Sequence, residues 1–191
     1  KSTVPILRLP FDDEDTQYLQ AGIETILASG MLTLSRYTQE FEEAFASFAG
    51  TRFALAVTNG TAALDLIFRG LGIRDSTLIV PTNTFLASAL APMQSGNRVI
   101  FADADPETLC LDPEDVRRKI TDETKAVVMV HIGGVMSPAC YDLLRLCEEK
   151  SIYLIEDAAH AHGCTLDGKL AGSIWHAAGF SMFRPNVFVT G

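Results

Sequence analysis

The sequence predicts an α/β fold, a mostly parallel mixed sheet flanked by helices. Short apolar runs such as Ala126-Val-Val-Met-Val130 and Tyr153-Leu-Ile155 have the length and β-branched content of strands buried on both faces. Between such runs lie segments with helical periodicity, and strict alternation of the two is the signature of successive strand–helix units. With 191 residues, 48% of them hydrophobic, the chain has enough apolar material for one sizeable core, which excludes disordered and disulfide-framework classes.

From Asp13, the residues Leu19, Ile23, Ile26 and Leu27 recur at helical spacing, and Gly30 supplies a stop. A second helix is expected over 37–49, with Phe41, Phe45 and Phe48 on one face and Gly50 at its end. Alternation then begins: strand 53–58, helix 60–71, strand 77–80, helix 84–94, strand 98–102. It continues with helix 113–120, strand 125–130, helix 137–150 and strand 152–156, and residues 177–191 read as one or two further strands.

Composition narrows the function classes. Fifteen Lys and Arg against twenty-four Asp and Glu give a net charge of −9 spread along the chain, so no basic footprint for nucleic acid is present. No apolar run reaches the roughly 18 residues a membrane helix needs, and the opening residues lack the apolar stretch of a leader. Cys110, Cys140, Cys147 and Cys164 form no close pair, which fits reduced thiols and a cytoplasmic setting.

In open parallel sheets, ligands gather beyond the carboxyl ends of the strands, so the loops there are the places to look. Thr58-Asn-Gly-Thr offers Gly60 for a close backbone turn and Thr61 at the opening of a helix whose free N–H groups favour a phosphate; an ordinary Asn-Gly turn with Thr61 as the helix cap reads equally well. Pro81-Thr-Asn-Thr-Phe sets Phe85 at the rim, where it either stacks on a flat ligand or joins the core. Ile155-Glu-Asp-Ala-Ala-His-Ala-His places two carboxylates at the end of an apolar strand. Asp157 there could hold a proton on a heterocyclic nitrogen, could cap a turn, or could join Glu156, His160 and His162 around a metal. Gly179-Phe-Ser-Met-Phe lacks the last glycine of a nucleophile elbow, and no His follows Ser181.

Asn59-Gly-Thr-Ala-Ala-Leu, Pro81-Thr-Asn-Thr-Phe, Phe101-Ala-Asp-Ala-Asp-Pro, Val130-His131, Glu156-Asp-Ala-Ala-His-Ala-His-Gly and Phe180-Ser stand together in one order. In that order the chain resembles the DegT/DnrJ/StrS-type sugar aminotransferases, pyridoxal-phosphate enzymes of fold type I. The resemblance implies amino transfer from an amino acid such as glutamate to a keto group of a nucleotide-linked sugar, with pyridoxal 5'-phosphate or pyridoxamine 5'-phosphate as cofactor, in a homodimer. It implies that residues 1–191 are a single, incomplete cofactor-binding large domain without the small C-terminal one. Gly60 and Thr61 match the phosphate-binding turn, Phe85 the aromatic over the pyridine ring, and Ser181 a hydroxyl near the phosphate. Asp157 matches the carboxylate at the pyridine nitrogen, and His160 the neighbour of the ring hydroxyl. No metal is implied.

One position departs from the family pattern. Asn186 stands where the family carries the lysine that forms the Schiff base, with Arg184 and Pro185 before it. An amide forms no imine and does not titrate near neutral pH, so the covalent anchor and the general base are both expected to be lost. A cofactor-binding or interaction protein without catalysis, or a relative of the pyridoxamine-phosphate-dependent sugar dehydratases, therefore stands beside the transferase reading. A doubly wound nucleotide-binding module lacks its G-x-G-x-x-G signature here.

Overall fold

The structure, a computed structural model, describes residues 11–183; Asn186 and its neighbours 184–191 lie outside the described residues. Helices α1 (Asp13–Ser29) and α2 (Arg36–Ala49) come first. Asp12 caps α1 reciprocally with Asp15, and Gly30 and Gly50 end the two helices in the left-handed conformation that glycine adopts without strain.

The expected strand over 53–58 is not formed among the described residues. Phe53 and Leu55 are exposed, and the Ala56 N–H donates to the Glu42 carboxylate at 2.8 Å instead of to a neighbouring strand. Period-two apolarity predicts a strand only where a partner completes the ladder.

From α3 (Gly60–Gly70) onward the alternation holds. It runs β1 (Thr77–Pro81), α4 (Ala87–Gln94), β2 (Arg98–Ala102), α5 (Pro113–Lys119), β3 (Thr124–Val130), α6 (Cys140–Lys150) and β4 (Tyr153–Asp157). A short 3-10 turn after β3 (Ile132–Gly134), a two-residue-per-strand hairpin of β5 (Thr165–Leu166) and β6 (Lys169–Leu170), and the short strand β7 (Ala177–Gly179) complete the described elements. The main sheet has the order β2-β1-β3-β4-β7, and every pairing in it is parallel; the antiparallel strand pairing is confined to the hairpin.

Alternate residues of each strand feed two separate cores, as a pleated strand covered on both faces requires. Leu78, Val80, Ala126, Val128 and Ile155 pack with Leu64 and Phe68 of α3 and with Ala89 and Ala91 of α4. On the other face Ile79, Val127, Met129 and Leu154 meet Val116 of α5 and Leu143, Leu146 and Cys147 of α6. Each of these larger side chains contributes about 1.5–3 kcal/mol by leaving water. Because the strands run the same way, Pro81, Ala102, Val130, Asp157 and Gly179 all finish at one edge, and there the candidate residues collect.

Candidate active site

Asp157 ends β4 paired in register with Val130 and Gly179, and it is 6% exposed. Its Oδ2 accepts a hydrogen bond from the Ser88 hydroxyl at 2.6 Å, and its Oδ1 accepts from the Ala159 N–H at 3.2 Å. No cation bonds to it among the described residues. Burial pushes its carboxyl above the usual range, while the Ser88 and Ala159 bonds and the nearby His160 and His131 pull the other way. Such a carboxylate gains from acquiring a cationic partner.

Glu156, one residue earlier, faces the opposite side of the sheet. It accepts from His131 Nε2 at 2.8 Å and from the Gly172 N–H at 2.9 Å, with both His131 and Glu156 side chains fully buried. Successive strand residues point to opposite faces, which separates Glu156 from Asp157, and no group of three metal-ligating side chains forms among the described residues. His162 stands apart from both carboxylates, with its ring against Phe180 at 5.3 Å between centroids.

The N-terminus of α3 forms the second part of the site. The cap is Asn59, not Thr61: its side chain accepts from the Ala62 N–H at 2.9 Å. The N–H groups of Gly60 and Thr61 are left with no acceptor among the described residues. Ser181 comes so close that a Cβ on Gly60 would lie 2.9 Å from the Ser181 Cβ and 3.3 Å from the Phe180 carbonyl oxygen. Gly60 is therefore required for the two segments to meet, and they form a cradle of backbone donors and one hydroxyl. That donor set, at the positive end of an eleven-residue helix, fits a phosphate. A groove of about 860 Å³ between residues 53–58, α2 and β7 opens onto Gly60 and Ser181.

Phe85 is 73% exposed one turn before Ser88, which settles its sequence ambiguity against the core. His160 is tied down through its Nδ1, which accepts from the Gly133 N–H at 3.2 Å, so in the neutral ring the proton sits on Nε2. The site thus brings together Gly60 with Ser181, and Asp157 with His160 and the Phe85 turn; Asn186 lies outside the described residues. Sequence reasoning missed Ser88, Thr84 and Gly133. The first two carried a readable signal, since Thr84 and Ser88 stand four residues apart and so share one face of a helical turn.

Comparison with known proteins matches residues 13–191 to the DegT/DnrJ/EryC1/StrS aminotransferase family. GDP-perosamine synthase of Vibrio cholerae is 37% identical over 191 residues, 98% of this chain and 50% of that protein. The solved aminotransferase from Psychrobacter cryohalolentis superimposes with a TM-score of 0.85 at 31% identity, over 95% of this chain and 46% of that one. DesI, solved in the presence of its TDP-sugar product, gives a TM-score of 0.84 at 38% identity, over 90% and 43%. The chain spans about half the length of the curated relatives it matches. With its parallel sheet, glycine cradle and buried strand-end aspartate, the chain belongs to the DegT/DnrJ/EryC1/StrS aminotransferase family.

Proposed function

We propose that this chain is the cofactor-binding half of a nucleotide-sugar aminotransferase, and that it binds pyridoxal phosphate or pyridoxamine phosphate reversibly without anchoring it covalently. The observation that carries the reading is Asp157, a buried carboxylate with no cationic partner among the described residues, on the same strand edge as the Gly60–Ser181 cradle. The Gly60 and Thr61 N–H groups and the Ser181 hydroxyl would hold the phosphate. Phe85 would cover the ring face, and the His160 Nε2–H would donate to the ring hydroxyl. Asp157 would hold a proton at the ring nitrogen, since an anion buried there favours the cationic form of its neighbour. When bound, the cofactor supplies an electron sink for the carbon next to the transferred amino group. Amino transfer to a nucleotide-linked sugar from a donor such as glutamate needs a base that Asn186 cannot provide, so turnover by this chain is expected to be absent.

A second copy of the chain is the expected partner. The helix α1 buries none of its residues, and Leu19, Ile23 and Leu27 form an exposed stripe along it.

The test is titration of the full chain with pyridoxal phosphate and pyridoxamine phosphate, followed by borohydride reduction, intact mass and peptide mapping. Saturable binding of both, weakened at least tenfold by Asp157→Ala and leaving no site-specific adduct, is the expected result. An adduct at one lysine overturns the non-covalent part. Absence of saturable binding sinks the whole reading.

A further inference from the structure

Asp157 does not stand alone at the strand edge. The Ser88 hydroxyl that bonds it is fully buried, and its oxygen lies 2.6 Å from the Thr84 hydroxyl oxygen. Ser88 has a single proton. When that proton goes to an ionised Asp157, the one between Ser88 and Thr84 has to come from Thr84, so the donors run Thr84 to Ser88 to Asp157. When Asp157 is protonated, the order reverses, and the carboxyl proton goes to Ser88. The first arrangement ends on a charge and is the stronger of the two, because a hydroxyl bonded to a carboxylate is about twice as strong as one bonded to a neutral acceptor.

We propose that Ser88, backed by Thr84, is a positioning residue that keeps the Asp157 carboxylate ionised and ready to pair with a cationic heterocycle. Its place in the fold supports this. It rides on α4, next to the turn that presents Phe85, so one helix start supplies both the ring-covering aromatic and the carboxylate's orienting donor. The charged and titratable groups around Asp157 are few. His160 and His131 act in the same direction as Ser88, Glu156 is turned to the other face with its own partners, and burial opposes them. With no Lys or Arg bonded to the carboxylate among the described residues, the hydroxyl is the largest influence favouring the charge. In its link to the cofactor the assignment rests on the reading of Asp157 as partner of a ring nitrogen. In its effect on Asp157 it does not.

The experiment is carbon-detected NMR titration of the Asp157 carboxyl in the full chain without ligand, for the wild type, Ser88→Ala, Ser88→Thr and Thr84→Val. Dissociation constants for pyridoxamine phosphate are measured across the same pH range. Ser88→Ala is expected to move the Asp157 midpoint upward by roughly one pH unit, the size of effect one hydrogen bond to a charge produces. Thr84→Val should move it less in the same direction, and Ser88→Thr should restore it. The acid limb of pyridoxamine phosphate binding should shift with the midpoint, while affinity on the alkaline plateau changes less than threefold.

A purely structural serine would lower affinity at every pH and leave the midpoint in place, and that result overturns the proposal. If Ser88→Ala does not fold, Thr84→Val decides: an unmoved midpoint there overturns it equally. A midpoint that moves while binding ignores it supports the role of Ser88 and refutes the ring-nitrogen reading of Asp157.

Discussion

At the scale of single residues, the least comfortable side chain is His162. Both of its ring nitrogens are buried without a partner among the described residues, and its ring meets Phe180 edge to face. Phe180 in turn packs on Phe45, so the imidazole sits in an aromatic nest that offers nothing to a cation's donors. Burial therefore pushes His162 below the usual histidine range, with His160 adding to the effect. In the unfolded chain the ring titrates near about 6.5. Below that pH the unfolded state binds a proton that the folded state refuses, so stability rises with pH across the window and falls on acidification. Urea midpoints at pH 7.5 and 5.5 should show this loss in the wild type and a smaller one in His162→Phe, which keeps a ring in the nest but cannot be protonated. An equal loss in both proteins would exclude His162 as a source of the acid sensitivity.

At the scale of elements, α5 shows how a short helix is fixed to a sheet. Asp112 caps it, Pro113 opens it, and acidic residues at its start with basic ones at its end follow the helix dipole. Inside it, Asp115 accepts from Lys119 at 2.6 Å, from the Asp103 backbone N–H at 2.7 Å and from Arg118 at 2.9 Å. These partners, Lys119 foremost, lower its carboxyl to about 2. The contribution is fully present above the unfolded value and is lost as pH falls from there toward the folded one. Asp115→Asn should cost about 1 kcal/mol at neutral pH, less at high salt because Arg118 lies largely in solvent, and should flatten the loss of stability between pH 4 and pH 2. Thermal melts at two salt concentrations and across that pH range check both points.

What the sequence made legible about these elements follows a physical division. Helices with an apolar stripe and a local cap or glycine stop are written locally, and α1, α2 and α3 stand within a residue or two of their expected spans. Buried parallel strands are local too, because covering both faces demands an unbroken apolar run. Residues 53–58 failed as a strand because pairing is not a local property. The hairpin β5–β6 escaped notice because two-residue strands carry no period. In the site, Gly60, Phe85 and Asp157 stood out from their loops as a close turn, a rim aromatic and a strand-end carboxylate, whereas the roles given to His160 and Ser181 came from the family resemblance. Ser88 was legible only as one of two hydroxyls four residues apart, since its role lies in a contact across 69 residues of chain.

At the scale of the whole molecule, the apolar surface left uncovered decides what the chain does in solution. Leu19, Ile23 and Leu27 on α1 are half or more exposed, and Leu32 and Leu34 follow them at 70% and 88%. Leu19, Ile23 and Leu27 stand four residues apart on one face of a helix that buries none of its own residues. Bringing two chains together costs an estimated 4–15 kcal/mol in lost freedom, and a buried large side chain returns about 1.5–3 kcal/mol. Three such half-exposed residues from each of two copies therefore sit near the balance point, and Leu32 and Leu34 add apolar area wherever a second copy covers them too. Sedimentation equilibrium at tens of micromolar chain is expected to give the mass of a dimer. Ile23→Asp should shift the distribution to monomer with an unchanged circular dichroism spectrum, because residue 23 is exposed within one chain and its charge is costly only when a second chain covers it. A wild-type monomer at that concentration would overturn the assignment of the α1 stripe to a second copy.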